Sequence, residues 1–250
     1  MDTSPTFSRE DIEKIIKDIC KKEFDIDAKV TEVGDTIWIY APFEKVLNQE
    51  NKFDEEVLGK VRHIFLSMNR AFLSMDKPPR FYCFVISDIK SIGADWYFIG
   101  FFYDMRKLQT NFISLGEAHE REVILNFFNP QALGDTQGTH IVKYDITMGE
   151  FIALLIKRDI EKAFTADAIK DKVTINDIRT YCDNEKLGIQ FNIVIKQYDS
   201  NIENPFDVAK KSAKKFLKIY EDFHKITEIE IIDSASKKSR VFTKRALYAD

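Results

Sequence analysis

Four histidines and the carboxylates near them are the residues of this chain best suited to chemistry. His119 stands in Glu117-Ala118-His119-Glu120-Arg121-Glu122, an imidazole among carboxylates. That setting suits a metal ligand or an acid–base pair, because histidine changes charge near neutral pH and carboxylates tune it. The spacing is not the His-Glu-x-x-His of a zinc helix, and no second histidine lies near. The run therefore reads as a charged, solvated helical turn. His140 opens a strand-like stretch shortly after Gly134-Asp135-Thr136-Gln137-Gly138, the one loop with paired glycines. Such a loop can wrap an anion through its amides; an exposed linker is the reading preferred here. His63 lies beside Arg62 off the apolar stripe of a helix, and His224 follows Phe223 near a helix end. No two of the four have ligand spacing, so structural roles are expected for all of them, with no metal and no cofactor.

Nucleophilic and nucleotide chemistry find no support. There is no Gly-x-Ser-x-Gly elbow, no Walker loop and no Gly-x-Gly-x-x-Gly. The cysteines, Cys20, Cys83 and Cys182, form neither a disulfide framework nor a Cys-x-x-Cys pair, and their apolar surroundings predict buried free thiols. Trp38, Tyr40, Trp96 and Tyr103 have the types for an aromatic ligand platform, although aromatics in strands more often fill a core. Lys210, Lys211, Lys214, Lys215 and Lys218 line the polar side of a helix. With Lys237, Lys238, Arg240, Lys244 and Arg245 they suggest contact with phosphate, a membrane surface or nucleic acid. Interspersed acids favour a solvated face and a protected edge strand instead. The stretch from Pro205 to Asp250 has 11 Lys/Arg and 7 Asp/Glu, +4, which leaves −8 for the rest of a chain of net charge −4.

The elements that must position these residues follow from periodicity. The 250 residues are 44% hydrophobic and 31% charged, a globular balance, and 9 Gly with 6 Pro imply long regular elements. No apolar run reaches the ~18 residues of a membrane helix, and the polar start, Met1 to Thr6, is no signal peptide. Ser8 caps a helix running to about Glu23. Strands follow at Ala28–Val33 and Thr36–Ala41 about a Gly34-Asp35 turn, closed by Pro42. A long helix covers Asp54–Met75. Phe81–Ile86 and Trp96–Met105 then make a hairpin that hardly alternates, so both of its faces should be covered. Ser114 to Glu117 has capping-box spacing. Val123–Phe128 and His140–Ile146 look strand-like, with the loosest stretch between them.

A second capping box, Thr147 to Glu150, opens another helix. Strands at Val173–Cys182 and Leu187–Tyr198, a helix with Pro205 at its first position and a hairpin of Glu228–Ile232 with Arg240–Tyr248 complete the chain. The order of elements thus repeats. An offset of 151 pairs Val57 with Val208, Phe65 with Phe216, Leu66 with Leu217 and Phe72 with Phe223, which suggests an internal duplication. The expected fold is α+β: two related α-β-β-α-β-β halves at 1–109 and 147–250, antiparallel sheets with helices on one face, and an irregular connector at 110–146. The second closing hairpin alternates, so its sheet should have one wet face. The cover for the first is the connector, the other half or a partner.

Gly34-Asp35-Thr36-Ile37-Trp38-Ile39-Tyr40-Ala41-Pro42, after the helix Ile12 to Glu23, resembles a segment of uncharacterised bacterial proteins, some of them exported lipoproteins. The likeness spans about the first forty residues. It implies no activity, and it favours the cell envelope, with a peripheral lipid anchor, over the cytoplasm. A non-catalytic binding or scaffold protein is the leading expectation, with a partner in the groove between the halves or on the outer face of the aromatic hairpin. The alternative is a small-ligand protein or enzyme with a site between the halves, near the connector, using Glu117, His119, Asp135 and His140. Nucleic acid is not an expected partner.

Overall fold

Ile12, Ile16 and Cys20, each four residues from the next, fall on one face of a helix and are fully buried there. The computed structural model describes residues 7–167, 169–197, 199–200 and 202–249. The polar lead, Met1 to Thr6, and Tyr198, an expected strand end, lie outside the described residues. Helix α1 (Ile12–Phe24) leads to β1 (Lys29–Val33), β2 (Thr36–Phe43), α2 (Glu55–Leu73), β3 (Phe81–Asp88) and β4 (Ala94–Phe101). Then come α3 (Phe102–Gln109), α4 (Leu115–His119) and β5 (Val123–Phe128). The second part holds α5 (Met148–Phe164), β6 (Val173–Asp183), β7 (Lys186–Ile195), α6 (Pro205–Ile219), β8 (Glu228–Asp233), β9 (Lys238–Thr243) and α7 (Lys244–Ala249). The chain divides into two units between Ile146 and Thr147. The fold is α+β, with mostly antiparallel sheets of five strands, β1-β2-β3-β4-β5, and four, β6-β7-β8-β9.

Each sheet joins two antiparallel hairpins through one parallel pair, β2–β3 and β7–β8. A helix separates the strands of each parallel pair, and such a crossover can return the chain in the same direction. The two units share this pairing order and finer details. The carbonyl of Asp35 accepts the amides of Arg80 and Phe81 at 2.9 and 3.0 Å, and that of Glu185 accepts those of Thr227 and Glu228 at 2.8 and 3.2 Å. Burial corrects the helix alignment. An offset of 151 sets Leu66, 52% exposed, against Leu217, fully buried. An offset of 148 pairs buried positions at Val61 with Ala209, Ile64 with Ser212, Met68 with Phe216 and Phe72 with Tyr220. The two offsets differ by three residues, almost a helical turn, so both match apolar periodicity.

Several element boundaries differ from expectation. Pro42 lies inside β2, opposite Ser87. It is tolerated because β1 has already ended opposite Tyr40, so no donor is needed on that side. Residues 102–105 and 244–248 are helical, not strand. In both units the fourth strand ends where its partner begins, and the next amide turns back to bond that partner's neighbour: Phe102 to the Arg80 carbonyl and Lys244 to the Thr227 carbonyl, both at 2.8 Å. His140 to Ile146 forms no strand, because it crosses a sheet face where no ladder is on offer. The 110–146 segment supplies the helix expected after Ser114, as α4, and the strand expected at Val123–Phe128, as the fifth strand of the sheet.

The inner face of the first sheet, including Ile37, Ile39, Tyr82, Phe84, Ile86 and Trp96, shares one apolar core with α1 and α2. Phe65 of α2 meets the rings of Tyr82, Phe84 and Phe98 with centroids 5.3–6.4 Å apart. The outer face is equally dry: Thr36, Trp38, Tyr40, Phe81, Cys83, Val85 and Ser87 are all buried. A strap formed by residues 129–146 covers it. Ala132, Ile141 and Ile146 supply its buried apolar side chains. Its backbone accepts hydrogen bonds from the Trp38 indole (Tyr144 carbonyl, 2.9 Å) and the Tyr40 hydroxyl (Asp135 carbonyl). The Ile146 amide donates to the Thr36 hydroxyl at 2.8 Å, and Asp145 accepts from the Asp35 amide at 2.8 Å. Among the described residues, the second sheet has no such cover. Tyr181 and Val241 on its outer face are 44% and 55% exposed, and Lys186 there pairs with Glu228 and Glu230.

At Gly138 the strap backbone packs directly against the sheet. Its φ is +68°, and an added Cβ would lie 2.8 Å from the Tyr40 ring. Gly134 has φ +78° but open space around it. Gly134→Ala should cost about 1 kcal/mol, the left-handed backbone penalty alone. Gly138→Ala should cost about 2–4 kcal/mol, because overpacking adds to that penalty. Urea titration of both variants checks the difference; equal costs would contradict close contact between strap and sheet.

Candidate functional site

Asp95 is a lone carboxylate in the apolar run of β4, and its outward position puts it under the strap, fully buried. Three side chains satisfy it. The Ser87 hydroxyl donates to Oδ1, the Asn129 amide donates to Oδ2 at 2.7 Å, and His140 Nε2 lies 3.2 Å from both oxygens. The other ring nitrogen of His140, Nδ1, meets Asp135 Oδ2 at 2.7 Å. The imidazole side chain is 4% exposed, between carboxylates that are 0% and 10% exposed. Asp135 in turn gathers its own loop, accepting the amides of Gln137, Gly138 and His140 and the Thr139 hydroxyl at 2.8–2.9 Å. Burial pushes the Asp135 carboxyl up, but His140 and these donors outweigh it and hold the group well below the usual carboxylate range. Burial, with Asp135 and Asp95 nearby, pushes the Tyr40 phenol up to about 12 against an opposing contact with Ser87.

This cluster holds the residue types of a catalytic relay without the openness of one. Ser87 donates to Asp95 and not to the imidazole, and both are fully buried. A substrate would have to displace the strap to reach His140. The arrangement is a clasp that fixes an irregular segment to a sheet face. Among the described residues, no group of three or more His, Cys, Asp or Glu is placed to hold a metal ion.

An open site lies on the other side of the same sheet. The inner face of β3 and β4, with α2, α3 and α4, encloses a cavity of about 570 Å³. That volume is within the range of small-molecule pockets. Phe65, Phe101, Met105, Leu108, Leu115 and Ala118 give it apolar walls. Tyr82 forms its floor because position 100 is glycine; a Cβ there would stand 2.2 Å from the Tyr82 ring. The Tyr82 hydroxyl donates to Glu122 Oε1 at 3.0 Å. Buried Arg121 ties α3 to α4 by bonding Asp104 at 2.8 Å and Glu117. Two further polar groups of α2 reach the cavity, Arg62 and Asn69. Asn69 Oδ1 is buried with no hydrogen-bond partner. Arg62 is exposed and makes no ion pair among the described residues.

The residues singled out in the sequence are thus divided. Tyr40, Asp135 and His140 meet in the clasp, with Trp38 beside them on the outer face. Trp96 is on the inner face against Phe53, at 5.5 Å between ring centroids. Tyr103 is 42% exposed on α3, with the Lys107 ammonium 4.6 Å from its ring centroid. The four therefore form no shared aromatic platform. Glu117 is held by Arg121, and His119 borders the cavity 4.0 Å from Glu122. His63 stacks on Phe24 at 4.2 Å, and His224 faces the Leu217 carbonyl at 3.0 Å while accepting the Ile226 amide. Cys20 and Cys83 are buried free thiols and Cys182 is half-buried. On α6, Lys211 pairs with Glu203, and Lys215 with Asp159 at 3.3 Å. No described helix is long and apolar enough to cross a membrane.

Sequence reasoning missed Asp95, Ser87, Arg62 and Asn69. A charged residue inside an apolar strand was the available sign for Asp95, since such a residue must be buried with partners. Arg62 and Asn69, seven positions apart with Phe65 between, border the apolar stripe of α2, and nothing local separates them from ordinary surface residues. The chain matches no protein-family model, and no curated protein or solved structure is significantly similar to it.

The clasp predicts an uneven response to mutation. Exposed ion pairs such as Lys60–Glu56 contribute about 0–1 kcal/mol. His140→Ala leaves Asp95 buried with two of its three partners, a loss worth about 3 kcal/mol. Chemical denaturation of both His140→Ala and Lys60→Ala measures the contrast; a His140→Ala cost below 1 kcal/mol would remove the clasp from the account.

Proposed function

We propose that this is a non-catalytic binding protein whose first unit holds a small ligand in the cavity enclosed by α2, α3 and α4. The observation that carries the reading is the buried, unpartnered Asn69 Oδ1 at the wall of a cavity of about 570 Å³. A buried acceptor without a partner costs about 1–3 kcal/mol, and a ligand that donates to it removes that cost. The closed clasp points the same way, since the residues most suited to catalysis are buried beneath the strap. The outer face of the aromatic hairpin, one of the two places suggested for a partner, is filled by the strap as well. The resemblance of the first forty residues to a segment of uncharacterised bacterial proteins, some of them exported lipoproteins, supports a setting in a bacterial envelope with a peripheral lipid anchor.

A protein partner is the second reading, carried by β5. Ile124, Phe127 and Phe128 on this edge strand are 46%, 47% and 73% exposed. An uncharged, apolar edge of this kind can accept a further strand.

Fluorescence titration with N-phenyl-1-naphthylamine, a neutral apolar probe, separates the two. Binding that falls at least tenfold in Ala118→Trp, which fills the cavity, and is unchanged in Phe128→Lys supports the ligand reading. The reverse pattern moves the site to the edge. No binding to the folded wild type contradicts the cavity as a ligand site.

A further inference from the structure

The cavity has chemical polarity along α2. Arg62, Phe65 and Asn69 follow one another at i, i+3 and i+7, so they share a face of the helix. The guanidinium of Arg62 is at the exposed end of this row, and the buried Oδ1 of Asn69 is at the other. Seven residues of helix separate their two Cα atoms by about 10 Å. Phe65 lies between, and Met105, Leu108 and Leu115 complete the apolar walls.

The other charged groups at the wall are engaged. Arg121 is bonded to Asp104 and Glu117. Glu122 accepts from the Tyr82 hydroxyl and lies 4.0 Å from His119. Arg62 is therefore the charge left for a ligand, and it calls for an anion, best a carboxylate matched to its planar fork. Asn69 calls for a hydroxyl. A hydroxyl both donates and accepts, so it satisfies the amide whichever way that group is turned. The spacing of the two residues along the helix sets the scale of the ligand. An extended carbon chain advances roughly 1.2 Å per bond, so about 10 Å corresponds to some eight to ten carbons.

We propose, on the reading that the cavity is a ligand site, that it takes a medium-chain aliphatic carboxylic acid with a hydroxyl at its far end. The carboxylate pairs with Arg62 at the mouth, the chain lies along Phe65 and the apolar walls, and the hydroxyl meets Asn69 within. The order matters energetically. The charged end stays near water, where little desolvation is required, and the neutral polar end enters the interior.

Displacement of N-phenyl-1-naphthylamine tests the class separately from the site. Against wild type, 10-hydroxydecanoate should displace the probe about tenfold more tightly than either 1,10-decanediol, which lacks the carboxylate, or decanoate, which lacks the hydroxyl. Arg62→Gln alters an exposed residue, so the protein should fold and still bind the neutral probe. It should lose the preference for acid over diol. Asn69→Leu should lose the preference for hydroxy acid over plain acid and leave the other intact. Equal displacement by the three compounds, or a preference for acid that survives Arg62→Gln, overturns the proposed ligand class while probe binding upholds the cavity. Failure of the probe to bind at all removes the cavity reading itself.

Discussion

The first sheet is apolar on both faces, and everything distinctive in its unit follows from the need to keep both faces dry. Helices cover the inner face. The outer face is covered by an irregular strap, which is the harder solution, because a segment outside regular structure must find partners for its backbone groups one by one. Ordering such a segment opposes folding by about 1–2 kcal/mol per residue. The strap meets this with buried apolar side chains and with specific bonds: Trp38 and Tyr40 donate to its carbonyls, Thr36 accepts the Ile146 amide, and Asp95 holds His140. A charge buried beneath the strap would oppose closure if it lacked partners. With Ser87, Asn129 and His140 around it, Asp95 specifies where the strap must lie.

The second unit shows what the first has in addition. Both have the same order of strands, the same parallel pair at the centre and the same backbone bonds at the start of that pair. The second has a charged, wet outer face and needs no cover. Residues 110–146 take the first unit beyond this shared plan. They add α4, which roofs the cavity on one side of the sheet, then β5 at its edge, then the strap on the other side. One segment therefore closes one face and opens a site at the other. Asp135 and His140, which looked most like chemistry, lie in its strap as polar anchors of the cover, while Glu117 and His119 lie on α4 beside the cavity.

Much of this was legible in the sequence. The lack of alternation in β3 and β4 announced two covered faces, and the alternation of β8 announced one wet face. The capping box at Thr147 and Glu150 stands where its spacing placed it, while at Ser114 only half forms: its hydroxyl accepts the Glu117 amide, and the Glu117 carboxylate bonds Arg121 instead. What was hidden depended on tertiary context. Residues 102–105 and 244–248 read as strand by composition, yet a strand needs a partner, and in each unit the neighbouring strand had ended. His140 to Ile146 has strand-like composition and lies where no edge is available. The alignment of α2 with α6 was ambiguous by nearly a turn, and burial along the two helices resolves it. Arg62 and Asn69 look like surface residues until α3 and α4 are placed beside them.

Native-state hydrogen exchange of the strap tests the central claim, that this segment is the cover of the outer face. The Ile146 amide, bonded to the Thr36 hydroxyl, and the His140 amide, bonded to Asp135, are the informative positions. Closure predicts that both are protected at least a hundredfold over an unstructured peptide. Exchange at peptide rates, with β3 amides still protected, would mean that the strap does not close the face and that something outside the chain must.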